Sequence, residues 1–231
     1  MIEPSLEQAL RSTGAVREFT DEPVTDEALR RVLDTARFCP SGGNGQGWHV
    51  VVVRDPATRQ RVRDLYLRGW YDYLAMREAG LRPWSPVNDR VAEAEAIAAH
   101  ADVLRQDAAD GPGGFAEHLD EVPVLLALFA DLSVIAAVDR DMDRYSFAGG
   151  ASVYPFAWSV LLAGRLEGLG GVITTMCVRA EAEVVELLGA PTDHALAAVI
   201  ALGHPVKQLT RLGRAPLEEF VSVDRFDGPT L

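Results

Sequence analysis

Lysine, cysteine and long apolar runs are all scarce in this 231-residue chain. Lys207 is the sole lysine, so arginine supplies almost all of the positive charge. Cys39 and Cys177 lie far apart and neither has a histidine at metal-ligand spacing, which argues against a disulfide framework, a zinc site or a catalytic thiol. No apolar run reaches the roughly 20 residues that cross a bilayer, and residues 1–11 lack the apolar core of a signal peptide. We therefore expect a cytoplasmic protein that does not bind or span a membrane.

Positive charge and recognisable catalytic motifs are scarce as well. The net charge is −12, which disfavours binding to nucleic acid, and an acidic ligand would need a local cluster of arginines. The first strand is not followed by the G-x-G-x-x-G fingerprint of a dinucleotide-binding fold, and no Ser–His–Asp arrangement is evident. The histidines share no metal-ligand spacing, so no metal site is predicted; they are His49, His100, His118, His194 and His204.

A glycine-rich loop before the first strand is the most informative feature that is present. Residues 38–54 read FCPSGGNGQGWHVVVVR, and the proline in this stretch ends the preceding amphipathic helix. The glycines allow bare backbone N–H groups to approach a planar ligand with polar edges, while Ser41, Asn44 and Gln46 add polar side chains. Ser and Asn also favour turns for backbone reasons, but the length and position of the loop favour a ligand site.

Helices and strands are intermixed along the chain without the regular βαβ repeat of a doubly wound sheet. Hydrophobic periodicity predicts helices at 6–11, 25–37, 57–67, 149–165 and 181–188, and strands at 49–54, 122–131, 172–177 and 195–202. We expect a single α+β domain over residues 1–231, with a helical excursion at about 68–120 that covers the core. The aromatic residues of this excursion either line a substrate cavity or simply pack; they are Trp70, Tyr71, Tyr73 and Trp84.

Four blocks of sequence match, in order, the motifs of one known family. VREFTDEPV at 16–24 resembles its opening motif, and ARFCPSGGNGQGWHVVVV at 36–53 resembles its P-S-x-x-N-x-Q-x-W loop and first long strand. SVYPFAWSVLLAGRLEGLGGVITT at 152–175 resembles its central helix and following strand. ALGHPV at 201–206 and RLGRAPLEEF at 211–220 resemble its closing turn and arginine segment. The chain is thus similar to the FMN-dependent nitroreductase-like flavoproteins, except at about 68–120, where nothing matches.

This resemblance implies a central, mainly antiparallel sheet wrapped by helices, in an intertwined homodimer with two FMN sites at the interface. It also implies that NADH or NADPH reduces FMN, which then reduces a nitroaromatic, quinone or other conjugated acceptor in a ping-pong cycle. The flavin supplies the redox chemistry in such an enzyme and the protein supplies position and electrostatics. A missing acid–base motif therefore does not argue against catalysis.

The resemblance assigns cofactor contacts to charged residues at both ends of the chain. Arg17 matches a basic position that faces the pyrimidine edge of the flavin, where a fixed cation would stabilise the negative charge of the reduced ring. Arg211 and Arg214 match the basic pair that holds the FMN phosphate, and guanidinium groups suit phosphate oxygens.

The remaining implied contacts are neutral. Ser152, at the start of the central helix, would touch the flavin, and the backbone at Thr174 and Thr175 would lie near ring atom N5. The glycine-rich loop would pack on the flavin from the partner chain, through Pro40, Ser41, Gly42 and Asn44.

One departure from the family pattern concerns the phosphate. The family usually has Arg-Arg-Ser directly before its Val-Arg-x-Phe segment, and the first of these arginines binds phosphate. Here the positions read Thr13-Gly14-Ala15, and Arg11 comes two residues too early. Either Arg11, Thr13 or the C-terminal arginines compensate, or FMN binds weakly or the cofactor is altered. Two other functions stay open: a flavin enzyme of this fold that dehalogenates, fragments flavin or oxidises azolines, and a non-catalytic flavin-binding or storage protein.

Overall fold

The computed structural model describes residues 5–231. This part of the chain forms six α-helices and four β-strands. The helices are α1 Leu6–Ser12, α2 Asp26–Ala36, α3 Pro56–Glu78, α4 Arg90–Ala109, α5 Tyr154–Leu166 and α6 Glu181–Leu188. The strands are β1 Trp48–Val53, β2 Val124–Asp131, β3 Gly170–Thr174 and β4 His194–Gly203. Short 3-10 turns occupy Gly42–Asn44, Leu119–Glu121, Ala148–Ser152, Met176–Ala180 and Leu217–Glu219.

Local sequence signals account for several helix ends. The Thr25 side chain accepts a hydrogen bond from the Ala28 amide at 3.2 Å and caps α2, and acidic residues follow in the first turn. Asp55 caps α3 in the same way, with Pro56 in the first turn, where its missing N–H costs nothing. Gly189 ends α6 with φ +64°, a left-handed conformation that glycine adopts without strain.

The four strands form one antiparallel sheet in the order β1-β2-β4-β3. β2 pairs with both neighbours and is buried on both faces, which explains its nearly continuous apolar sequence. Because side chains alternate across a strand, Leu126 and Leu128 pack with α2 and α5, whereas Leu125 and Phe129 pack with α3 and α6. The sheet is therefore covered by helices on both faces, as predicted for the α+β class.

Three predicted bounds need correction. The helix predicted at 57–67 continues to Glu78, so the excursion at about 68–120 begins as an extension of α3, and α4 packs against it. The central helix does not begin at 149: a 3-10 turn fills Ala148–Ser152, and α5 starts at Tyr154. The third strand runs over Gly170–Thr174 instead of 172–177, because pairing with β4 already begins at Gly170, opposite Gly203. Cys177 therefore lies beyond the strand, buried in the turn that follows.

Candidate functional site

Arg17 lies beside the β3 edge of the sheet. The Val16 amide donates to the Gly171 carbonyl at 2.9 Å and Ala15 bridges the same glycine, so the segment after α1 runs along β3. Arg17 itself is exposed and lines a cavity of 830 Å³ that includes residues 17–24 and part of the loop at 114–123. A fixed positive charge therefore stands next to the strand that ends at Thr174.

Tyr66 joins this corner, although sequence reasoning placed it only on the apolar side of a helix. The Thr174 hydroxyl donates to the Tyr66 hydroxyl at 3.3 Å. Burial raises the pKa of Tyr66, and the charge of Arg17 acts in the opposite direction. Thr175 is exposed and precedes the Met176–Ala180 turn. We call Arg17, Tyr66 and Thr174 the Arg17 corner; it combines one cation with two hydroxyls at the end of β3.

A ladder of aromatic rings leads outward from Tyr66. Trp70 stacks near Tyr66 with ring centroids 6.3 Å apart, and Tyr73 stacks on Trp70 at 5.4 Å. Trp84 lies at 6.4 Å from Tyr73. Tyr71 faces elsewhere: it is buried between α3 and α4, and its hydroxyl donates to Glu117 at 3.0 Å. The predicted aromatic cover therefore divides into a ladder that continues the Arg17 corner and a tyrosine that packs the excursion itself.

Tyr71 also lines a second cavity, of 770 Å³, between α3, α4 and the loop at 111–118. Burial, followed by the hydrogen bond to Glu117, raises the pKa of Tyr71 to about 12. Arg105 lies over the ring at 5.3 Å from its centroid. The phenol is therefore held neutral and serves packing.

The glycine-rich loop is folded tightly onto its own chain. The Gly42 amide donates to the Ser152 hydroxyl at 3.0 Å, and the Gln46 amide donates to the Ser41 hydroxyl at 3.0 Å. Asn44 and Gln46 have φ values of +55° and +52°, which are uncommon for residues with a side chain and concentrate at ligand sites. The Ser152 hydroxyl, predicted as a flavin contact, here anchors the loop and is 8% exposed. Pro40, Gly42 and Asn44 are exposed, so the outer face of the loop is free within the chain.

A groove lined by four arginines lies at the other end of α5. The Leu212 amide donates to the Arg11 carbonyl at 3.0 Å, so the C-terminal segment runs against the end of α1. The resulting groove of 1260 Å³ brings together the side chains of Arg11, Arg165, Arg211 and Arg214, which we call the arginine groove. Its single acidic lining residue is Glu7, which pairs with Arg11 at 2.9 Å. Two predicted phosphate ligands and the proposed substitute Arg11 thus share one groove.

Two buried polar atoms near the arginine groove lack partners within the described part of the chain. The Thr13 hydroxyl and Nε of Arg165 are buried, and neither has a hydrogen-bond partner among residues 5–231. Leaving a buried donor unpaired costs about 1–3 kcal/mol, and neither atom is open to the groove. A Cβ at Gly14 would meet the ends of Leu209 and Leu212 at 2.7 Å. An arginine at this position would therefore require both leucines to move.

Strand pairing also brings together three potential metal ligands whose spacing in the sequence did not predict a metal site. Asp131 on β2 pairs with His194 on β4, and Asp193 lies beside them. One ligand atom from each of these three residues lies within 4.8 Å of the others, although no metal site was predicted. Asp193 is hydrogen-bonded to Nδ1 of His194 at 2.7 Å, and Ser133 holds Asp131 at 2.6 Å.

Sequence reasoning missed Tyr66 and Arg165 because both lie on helices whose apolar pattern already explained them. Tyr66 belongs to the buried face of α3, and only its contact with Thr174 shows a second role. Arg165 is a basic residue in the last turn of α5, a position that the helix dipole favours in many proteins. A cation in an otherwise apolar helix is the one signal that was available.

None of the helices in residues 5–231 combines the length and apolar character needed to cross a bilayer. The fold is shared with known proteins. The structure of oxidised iodotyrosine deiodinase bound to FMN and 3-iodo-L-tyrosine superimposes with a TM-score of 0.65 at 23% identity, covering 96% of this chain and 100% of that one.

Two curated relatives are similar over most of the sequence. An NADH dehydrogenase of Thermus thermophilus is 29% identical over 207 residues, 90% of each protein. Human iodotyrosine deiodinase 1 is 27% identical over 217 residues, which span 93% of this chain and 66% of that protein. The profile of the Nitroreductase family matches residues 10–204. The chain therefore belongs to the Nitroreductase family.

Proposed function

We propose that the protein is an FMN-dependent oxidoreductase that takes electrons from NADH or NADPH and reduces a nitroaromatic, a quinone or another conjugated acceptor. The arginine groove carries this proposal. A chain with net charge −12 concentrates four arginines around one glutamate at the position where the family resemblance places the phosphate. Guanidinium groups bind phosphate oxygens through paired N–H donors.

The Arg17 corner supports the same proposal at the ring end. Arg17 would lie at the polar edge of a flavin, and its charge would favour the reduced, negatively charged ring. Thr174 and Thr175 would place backbone groups near the reacting nitrogen. Bound FMN would supply hydride transfer between nicotinamide and acceptor. The chain's own contribution is a fixed cation, hydroxyls held by Tyr66 and an aromatic ladder that limits access of water.

A homodimer is part of the proposal because the loop and the Arg17 corner lie at opposite edges of the sheet. The loop precedes β1 and the corner ends β3, so three strand spacings separate them, or about 14 Å. The exposed face of Pro40, Gly42 and Asn44 would therefore contact the flavin of a second copy of the chain. Size measurement of the purified protein with and without FMN tests this point.

Spectroscopy tests the cofactor and the reaction together. The purified or FMN-reconstituted protein should show the two visible absorbance bands of a flavin, and anaerobic NADH or NADPH should bleach them. Adding a quinone or nitroaromatic should then restore the bands. A protein that stays colourless after reconstitution would contradict the proposal, and a bound flavin that dithionite but not NAD(P)H reduces would indicate a non-catalytic flavin-binding protein.

The similarity to human iodotyrosine deiodinase 1 favours a second candidate, reductive dehalogenation at the same site. The aromatic ladder of the excursion offers stacking surfaces for an aromatic substrate. Reduced enzyme should be incubated with halogenated phenols, nitroaromatics and quinones, and free halide should be measured. Halide release that outpaces nitro and quinone reduction would select this candidate.

A further inference from the structure

Arg165 ends α5 on the floor of the arginine groove with most of its hydrogen-bonding capacity unused. Its Nη2 lies 3.4 Å from the Ser12 hydroxyl and 3.4 Å from the Leu209 carbonyl, and both distances are long for N–H···O bonds. Its buried Nε has no partner among residues 5–231. A guanidinium has five N–H donors, so several remain for a ligand.

The other half-buried arginines of the protein are better satisfied. Arg59 donates to the carbonyls of Asp120, Val53 and Val122. Arg63 pairs with the carboxylates of Asp64 and Asp120, both at 2.9 Å. No carboxylate in the described range 5–231 forms an ion pair with Arg165. Burial lowers the pKa of Arg165, as expected for a cation that lacks a compensating anion.

The N-terminal segment next to Arg165 has no space for a long side chain at position 14. Thr13 is buried with its hydroxyl unpaired, and Gly14 is covered by the side chains of Leu209 and Leu212. Packing of the C-terminal segment thus occupies the space that a long side chain at position 14 would need. Ser12 lies between, donating to the Gln8 carbonyl at 2.7 Å and presenting its oxygen to Arg165.

We propose that Arg165 is a phosphate-recognition residue that supplies, from the end of α5, the cation that Thr13 and Gly14 do not supply from the N-terminal segment. The ligand group is a phosphate monoester, and the proposal rests on the proposed FMN site. Arg165 approaches the anion from below, while Arg11, Arg211 and Arg214 surround it from the rim.

A purely structural role is the competing explanation. Arg165 lies at the C-terminal ends of both α5 and α1, where a cation offsets the helix dipoles without any ligand. The two roles differ in one observable. A structural arginine affects FMN and riboflavin alike, whereas a phosphate ligand affects FMN alone, because riboflavin lacks the phosphate.

The test measures binding of FMN and riboflavin by quenching of flavin fluorescence, for the full chain and for Arg165→Met and Arg165→Lys. Arg30→Met is the matched control, since Arg30 is exposed on α2 away from the groove. We expect Arg165→Met to weaken FMN binding by about 10- to 30-fold, riboflavin binding to stay unchanged, and Arg165→Lys to restore part of the loss. Arg165→Gln, which keeps a polar side chain but removes the charge, should weaken FMN binding to a similar extent and cover the case in which Arg165→Met does not fold.

The outcomes separate the two proposals. If the parent chain prefers FMN and the variants at 165 keep that full preference, the role of Arg165 is overturned while the FMN site stands. If the parent chain binds neither flavin, the proposed function fails. In that case, Tm is measured with and without inorganic phosphate. A rise in Tm that Arg165→Met abolishes supports the phosphate-binding role of Arg165, and no rise overturns that role.

Discussion

The two ends of α5 hold their polar groups in opposite ways. Before its start, the Ser152 hydroxyl accepts a hydrogen bond from the Gly42 amide and the Ser41 hydroxyl accepts one from the Gln46 amide, so these loop donors are paired within the chain. At its end, Thr13 and Arg165 keep buried atoms unpaired beside three further arginines. The thirteen residues of α5 separate these ends by about 20 Å. The difference teaches that the loop is held by bonds within the chain, whereas the proposed phosphate would complete the arginine groove.

The largest effect is expected in the arginine groove. The double substitution Arg211→Met and Arg214→Met removes two charge-assisted contacts and should weaken FMN binding about 30-fold, after allowance for the exposure of both side chains. Riboflavin binding should not change. Fluorescence titration with both flavins provides the measurement. An equal loss of affinity for the two flavins would show that the groove does not contact the phosphate. The groove would then not differ from the loop in needing a ligand.

Asp139 tests the segment before α5, because the stability that this residue provides should depend on pH. This buried carboxylate accepts hydrogen bonds from the Phe147 amide, Arg144 and Ser146, and these bonds lower its pKa. A carboxyl whose folded pKa is lowered stabilises the fold above its unfolded pKa of about 4, and that stability is lost as the pH falls. Because the folded pKa lies well below the unfolded one, most of this stability is still present at pH 3.5. Asp139→Asn should therefore lower Tm by several degrees at pH 7 and by much less only near pH 2.

Thermal unfolding at both pH values checks this expectation. The matched control is Asp141→Asn, because Asp141 is 90% exposed and pairs only at the surface. A variant at 139 that loses the same stability at both pH values would mean that the side chain acts through packing, not through its charge.

A smaller effect is expected when the loop anchor is removed. Ser152→Ala leaves the Gly42 amide without its buried acceptor and should lower the free energy of unfolding by about 1–2 kcal/mol. Limited proteolysis within residues 41–47 should accelerate at the same time. Ser159→Ala, on the neighbouring helix α5, serves as the control in urea unfolding. Unchanged cleavage would show that the loop needs no anchor.

The smallest effect concerns Glu7, which holds Arg11 on the rim of the groove. Their side chains are 74% and 76% exposed, so the pair contributes no more than about 1 kcal/mol. Glu7→Gln should free Arg11 and strengthen FMN binding up to about 3-fold. Isothermal titration with FMN at low salt measures this change, and weaker binding would place Arg11 outside the phosphate site.

Local signals made much of the fold predictable. The apolar run at 122–131 indicated a doubly covered strand, and the structure places β2 at Val124–Asp131 inside the sheet. Thr25 and Gly189 marked helix ends through backbone chemistry that depends on few neighbours. The continuation of α3 to Glu78 was missed because its second half packs on α4 instead of presenting one apolar stripe to the core.

The candidate site was predictable only in part, since its contacts are long-range. The contact between Thr174 and Tyr66 joins residues 108 positions apart, and that between Arg165 and Ser12 joins residues 153 apart. No local pattern encodes such distances. The roles of the ten cofactor-binding residues predicted from the resemblance stay predictions. The structure does place Arg211 and Arg214 in one groove, and it joins Gly42 to Ser152 by a hydrogen bond.

Burial of Cys177 has a consequence for chemical durability. This thiol follows Thr175 by two positions, has no exposed surface, and burial raises its pKa to about 12. A sulfur that stays protonated is a poor nucleophile and resists oxidation. If FMN binds as proposed, this sulfur atom would lie close to an electron-carrying centre without diverting electrons or being modified by peroxide, and the end of β3 would keep its shape over many turnovers.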